Sequence, residues 1–221
     1  MPHPKGGYRL KDGTRVPGTT TIIGRFKESN ALLYWACEQG KAIERGEISH
    51  LYDKRDAAAE AGTIAHALVE CHIDNDDPAA VLDGLSPDIE EKAKQAFESY
   101  LLWERITNLK IVEQEMELVS ELYRFGGCPD AIGEIDGKLT LVDWKTSNSV
   151  YSDMLIQLSA YKQLWEENYP GKPLHGFHLC RFSKEHGDFA HHFYSELDDA
   201  WEQFKLFRQA YDLDKLLKKR V

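Results

Sequence analysis

Apolar positions change their spacing near residue 110. Before it they recur every three or four residues, as on one face of a helix; after it they alternate or form short runs, as in strands. Residues 8–16 predict a small hairpin turning at Asp12-Gly13. Ser29 is placed to cap a helix through Arg45, with Leu32, Leu33, Trp35, Ala36 and Ile43 as its apolar positions. The alanine-rich residues 56–73 predict a second helix. Ser86-Pro87 predicts an N-cap with proline at the first helical position, followed by Ile89, Ala93, Ala96, Phe97, Tyr100 and Leu101 at helical period.

Residues 110–120 read as a strand and 121–135 as its extended continuation. Asp136-Gly137 is a two-residue turn, and 138–145 alternates as a strand should. Residues 151–168 form a helix with Met154, Leu158, Tyr161 and Trp165 on one stripe, stopped by Pro170-Gly171. Two strands, 173–182 and 188–194, precede a last amphipathic helix opened by Ser195-x-x-Asp198 and carrying Leu197, Trp201, Phe204, Phe207 and Tyr211. The order predicts one α/β domain over residues 1–221, mostly helical in 1–105 and sheet-containing in 106–221.

Composition narrows the class. The chain has 221 residues, 42% hydrophobic and 29% charged, which is an ordinary globule rather than a disordered chain. No run approaches the length of a membrane span, and the start Met1-Pro2-His3-Pro4-Lys5 lacks the apolar centre of a secretion signal. Cys37, Cys71, Cys128 and Cys180 are scattered with no Cys-x-x-Cys pair, which in a chain without a secretion signal predicts reduced thiols in a cytosol. The net charge of −10 excludes indiscriminate coating of nucleic acid. Six basic residues within 1–30, and Lys215, Lys218, Lys219 and Arg220 in the tail, leave room for a local basic face.

The chemistry concentrates in residues 126–145. If Asp136-Gly137 closes a hairpin without a bulge, Ile135 faces Lys138, Gly133 faces Thr140 and Asp130 faces Asp143. Two carboxylates so opposed repel, and a divalent cation between them removes the penalty. Hard oxygen donors suit Mg²⁺ or Mn²⁺, as one ion or two. Lys145 lies two residues beyond Asp143 and shares its face. Such a set can activate water against a phosphodiester and stabilise the developing negative charge. The apolar run Leu139, Leu141, Val142 delivers these charges to the end of a buried strand, where charges need a reason.

Gly127-Cys128-Pro129-Asp130, Asp143-Trp144-Lys145-Thr146 and Gln157-Leu158-Ser159-Ala160-Tyr161 resemble the PD-(D/E)XK nuclease superfamily. Gly62-Thr63-Ile64-Ala65-His66 and the threonine-rich Thr19-Thr20-Thr21-Ile22-Ile23 are similar to segments of its RecB-like exonuclease branch, which includes CRISPR adaptation nucleases and mitochondrial genome-maintenance exonucleases. The resemblance spans residues 17–183 and implies a restriction-endonuclease-like mixed central sheet flanked by helices. It implies metal ligation by His66, Asp130, Asp143 and the backbone carbonyl of Trp144, with Lys145 as the catalytic lysine. Gln157 and Tyr161 would support the site, and their i, i+4 spacing independently puts them on one helical face. Glu70 shares a face with His66 and would bind a second metal or orient that histidine. The implied activity is metal-dependent hydrolysis of DNA, single-stranded or with a free end, leaving a 5′-phosphate and a 3′-hydroxyl.

Some relatives carry an iron–sulfur cluster on one early and three late cysteines; with Cys180 alone late in the chain, none is expected here. No P-loop is present, so a helicase motor or a recombination or replication partner would be a separate chain. Thr20, Thr21, Arg25, Lys27, Tyr34, Trp35 and Thr146 are candidate DNA contacts, the aromatics by stacking on bases. His175, His178, His186, His191 and His192 crowd the last strands and read as a solvated hairpin, since His175 and His178 fall on opposite faces. Three other readings compete with the exonuclease. They are a structure-specific or ring-forming nuclease of the same fold, a silent nucleic-acid-binding or assembly module, and a metal protein that is not a nuclease.

Overall fold

The computed structural model describes residues 6–27, 30–48, 50, 53–147, 149–184 and 187–221. The Ser29 cap and His186 lie outside the described residues. The helices are α1 (Thr19–Phe26), α2 (Asn30–Glu44), α3 (Asp53–Asp74), the single turn α4 (Ala79–Leu82), α5 (Pro87–Thr107), α6 (Ser152–Asn168) and α7 (Asp198–Leu217). The strands are β1 (Lys110–Gln114), β2 (Leu118–Ser120), β3 (Phe125–Gly127), β4 (Ala131–Ile135), β5 (Lys138–Lys145), β6 (Phe177–Phe182) and β7 (Phe189–Tyr194).

Five strands form a mixed sheet in the order β1-β4-β5-β6-β7, and β2 and β3 form a separate two-stranded sheet. Pairing is antiparallel except between β5 and β6, which are parallel and joined through α6, as a parallel pair requires. The β4–β5 register is the predicted one: Ile135 opposes Lys138, Gly133 opposes Thr140 and Ala131 opposes Val142. Asp136 and Gly137 have φ of 52° and 73°, so both turn residues are left-handed as a tight two-residue hairpin demands.

Alternation along these strands separates two cores. Ile132, Leu141, Phe177 and Leu179 face Leu158, Tyr161, Leu164 and Trp165 of α6 and Phe204 of α7. Ala131, Val142, Trp144, Cys180 and Phe182 face Ala65, Leu68 and Val69 of α3 and Ala93, Tyr100 and Trp103 of α5. Period-two strands between period-3.6 helices produce this two-sided burial.

The strands differ from the sequence expectation at two places. The extended stretch 110–135 is not continuous. Glu115 takes φ 45° after β1, and residues 121–124 turn between β2 and β3, because Ser120 and the backbone N–H groups of Glu121 and Leu122 donate to the Glu167 carboxylate. The strand expected from residue 173 begins only at Phe177, after Gly176 at φ 144°. The threonine-rich segment forms helix α1. Its β-branched residues favour helix weakly, but Ile22 and Ile23 are buried and the Thr19 hydroxyl donates to the Gly126 carbonyl at 3.0 Å.

The last hairpin is also not simply solvated. His178 is buried, and its Nδ1 lies 2.7 Å from Nε2 of His191. Burial, then repulsion from His191, pushes His178 down to about 4, while Asp136 pulls upward; burial, then His192, depresses His191. A histidine depressed in the fold adds stability above its unfolded value near 6.5, and that stability is lost as pH falls toward 4. The unfolding free energy of the wild type, read from urea titrations, should therefore fall relative to His178→Gln between pH 6.5 and 4, by on the order of 1 kcal/mol after solvent screening at this edge. Parallel curves would remove the pair from the acid response.

Candidate active site

The site lies at the end of the β4–β5 hairpin. Asp130 directly precedes β4, Asp143 and Lys145 close β5, and all three take the parity of the α6 face. Asp130 and Asp143 are both almost fully buried. Lys145 Nζ straddles the Asp143 carboxylate, 2.9 Å from Oδ1 and 2.7 Å from Oδ2. The backbone N–H of Trp144 donates to Asp130 Oδ2 at 3.0 Å, and Asp130 and Asp143 come within hydrogen-bonding reach of each other.

His66 reaches the same place from α3, with its ring tilted 6.4 Å from that of Trp144. One imidazole nitrogen of His66 and one carboxylate oxygen from each of Glu115 and Asp130 lie within 4.8 Å of one another. Glu115 is the functional candidate missed in the sequence. Glu113, Glu115 and Glu117 would share one face of an unbroken strand, so alternation cannot choose among them. The chain chooses by breaking: Glu115 leaves the strand at φ 45°, tethered by its N–H to the Asp130 carbonyl at 3.1 Å. Its Oε2 accepts from the Cys128 thiol at 3.4 Å.

The electrostatics are those of acids crowded away from water. Burial, then Asp130, pushes Glu115 up to about 7. Burial pushes Asp143 up to about 6, with Lys145 opposing and Asp130 adding to the rise. Asp130 is raised by burial against the pull of Lys145 and the Trp144 N–H. Burial alone would lower Lys145, but Asp143 and Asp130 outweigh it and hold the ammonium charged. Burial, then Lys145, pushes His66 down to about 3, so its imidazole is neutral and fit to ligate.

The donor set fits a divalent cation. Asp130 Oδ1 and His66 Nδ1 are closed off from solvent with no hydrogen-bond partner, an arrangement that is costly unless something else satisfies them. Carboxylates with one imidazole suit Mg²⁺ or, because of the nitrogen, Mn²⁺.

The structure brings Gln157 and Tyr161 to the same wall. Gln157 Nε2 donates to the Tyr161 hydroxyl at 2.7 Å, and both are buried. A Cβ on Gly127 would fall 2.6 Å from Tyr161 Cε1 and 2.8 Å from Thr19 Oγ1, so only glycine lets the strand feeding Asp130 pass beneath α6 and α1. A Cβ on Gly62 would fall 2.5 Å from Thr146 Oγ1, so Gly62 brings α3 against the residue that follows Lys145. Glu70 is half-buried on α3 and does not join the ligand cluster.

The expected DNA contacts are dispersed. Arg25 makes a two-pronged pair with Asp214 of α7 (3.1 and 3.0 Å), and Lys27 donates to Ser152 at 3.0 Å. Thr21 lines a surface cavity of about 360 Å³ with Arg15, Tyr211 and Lys215, while Thr20 is half-buried. Tyr34 is exposed and Trp35 half-buried on α2.

A sheet of this order, with acids and a lysine at the end of its central hairpin, defines the restriction-endonuclease-like class. The PD-(D/E)XK nuclease superfamily model matches residues 34–213, and the chain belongs to that superfamily. No curated protein matches the sequence. Among solved structures, a candidate exonuclease from Eubacterium rectale is similar at a TM-score of 0.42 and 12% identity, over 88% of this chain and 72% of its own. The protein SSO0001 is similar at a TM-score of 0.37 and 15% identity, over 85% of this chain and 87% of its own. Both likenesses are too distant to carry function.

Proposed function

We propose that this protein is a DNA exonuclease of the RecB-like type, dependent on Mg²⁺ or Mn²⁺. One observation carries the reading. Asp130, Asp143 and Lys145 meet at the buried end of the β4–β5 hairpin, where Asp130 Oδ1 and His66 Nδ1 have no hydrogen-bond partner. His66, Glu115, Asp130 and Asp143 would hold the cation, with the Trp144 carbonyl beside them. When bound, the cation supplies charge neutralisation and polarisation of a phosphoryl oxygen and of water.

The chain's own residues do the rest. Lys145, charged because two acids flank it, sits where negative charge develops on a phosphodiester oxygen and can hold a proton-bearing nucleophile in line. Asp143 fixes the ammonium, and Gln157 fixes the Tyr161 hydroxyl beside the acids. Burial of both carboxylates excludes bulk water. The family resemblance favours a strand entered from a free end. No helix of the described residues is long and apolar enough to cross a membrane.

Digestion of 5′- and 3′-labelled single- and double-stranded oligonucleotides, beside a circular control, tests this. Short products should leave from one end only with Mg²⁺ or Mn²⁺, and circles should survive. Cut circles would make it an endonuclease; inert linear substrates in both metals would reject the nuclease reading.

A further inference from the structure

We propose that the cavity between hairpin 8–16, α1 and α7 is a phosphate subsite, where Arg15 and Lys215 hold the backbone of a single DNA strand that reaches on to the acid cluster. That the phosphate belongs to DNA rests on the nuclease reading above. The cavity, of about 360 Å³, is walled by Tyr8, Arg15, Gly18, Thr21, Tyr211 and Lys215. No acid lines it, whereas four other surface cavities each carry at least one, such as Glu90, Glu104, Asp212 and Glu196. In a chain of net charge −10, a wall with two cations and no carboxylate selects an anion.

The neighbouring acids of α7 are already taken. Asp212 pairs with Arg208 at 2.6 Å, and Asp214 pairs with Arg25 at 3.0 Å and Lys218 at 3.2 Å. Among the described residues neither Arg15 nor Lys215 has an ion-pair partner. Arg15 lies against Gly7, where a Cβ would fall 2.9 Å from its Nε, so glycine lets the guanidinium rest on the backbone at the cavity wall. Thr21 and Tyr211 add hydroxyls, a common donor to phosphate oxygens.

Tyr8 joins this cavity to the active site. It is buried, and its ring packs on Gly18 and on Gly126, where a Cβ would overlap it. Gly126 lies four residues before Asp130, at most about 14 Å of extended chain. Burial, then Cys128, Glu117 and Glu115, raises the Tyr8 phenol, so the same ring feels the charges of the acid cluster. A strand with one phosphate at the acids can lay another against Arg15 and Lys215.

Fluorescence anisotropy of a labelled oligothymidylate in metal-free buffer tests the subsite. Arg15→Gln with Lys215→Gln should weaken binding about tenfold and make the fall of log affinity with log salt shallower by about 0.7, the share of one phosphate on a single strand. Both positions are exposed, and an unchanged thermal midpoint checks the fold. Lys92→Gln with Lys94→Gln removes the same charge from α5 and should alter neither quantity. A single uncharged methylphosphonate linkage, moved along the oligonucleotide, should weaken wild-type binding at an internal position and have no effect at that position in the Arg15–Lys215 variant. Inorganic phosphate should bind far more weakly than the strand; equal affinity would assign the cavity to free phosphate instead. A loss shared equally by the two double variants, a methylphosphonate effect that survives in the Arg15–Lys215 variant, or a wild type that binds no strand would each overturn the subsite. Binding makes no use of cleavage. A wild type that binds in this pattern yet leaves every strand intact would reject the nuclease reading alone, and one that degrades DNA without the pattern would reject the subsite alone.

Discussion

Asp143→Ala and Lys145→Ala should each lower the cleavage rate by about three orders of magnitude or more. A single preorganised charge-stabilising donor is worth roughly 10²–10³ in rate, and an acid that also holds the cation carries more. The two variants separate by their metal response. Lys145→Ala keeps the acids and His66, so half-saturation by Mn²⁺ should change little while turnover collapses. Asp143→Ala loses a ligand, so both should worsen. Breaking a buried pair by removing one partner costs about 3–5 kcal/mol, so circular dichroism must accompany the assay, and Lys145→Met and Asp143→Asn serve as variants of similar volume. Wild-type rates in folded Lys145→Met would take the lysine out of the chemistry.

Divalent metal should stabilise the protein, and more so at pH 8 than at pH 5.5. Glu115 is held up to about 7 and Asp143 up to about 6, both above ordinary carboxylate values. Groups raised in the fold stabilise it below their unfolded values, and that contribution is lost as pH rises through their folded ones. The metal-free protein therefore loses stability between about pH 4.5 and 7 as these acids ionise against one another. A cation needs the ionised acids, so it binds better and relieves more repulsion on the alkaline side. At a hundredfold excess over the dissociation constant the linkage is about 2.7 kcal/mol. For a chain of this size that is a rise of roughly 5–10 °C in the thermal midpoint. Asp130→Asn should raise the metal-free midpoint at pH 8 and abolish the metal response. A midpoint indifferent to Mg²⁺ and Mn²⁺ at pH 8 would mean that these acids do not form a cation site.

The expected DNA contacts show what residue type leaves open. Arg25 and Lys27 look like phosphate ligands in a basic N-terminal segment, yet they bind Asp214 and Ser152 across to α7 and α6. A basic residue in a chain of net charge −10 meets its own acids first, and which acid it meets is a tertiary fact.

Local physics fixed much of the core site in advance. Asp136-Gly137 supplies the left-handed turn, the turn sets the register, and period-two alternation then puts Asp130, Asp143 and Lys145 on one face. Helical spacing likewise put Tyr161 beside Gln157. Packing alone decided the rest. The choice of Glu115 over Glu113 and Glu117 depends on where β1 breaks, and the break is tied to the Asp130 carbonyl on a segment distant in sequence. Helix α1 forms against its own propensity because Ile22, Ile23 and Thr19 find partners on α6 and β3. Spacing governs which side chains of one element share a face. Convergence of His66, Glu115 and Asp130 requires the middle of α3 to pass beside the ends of β1 and β4, and only the burial of both faces of the sheet fixes where they meet.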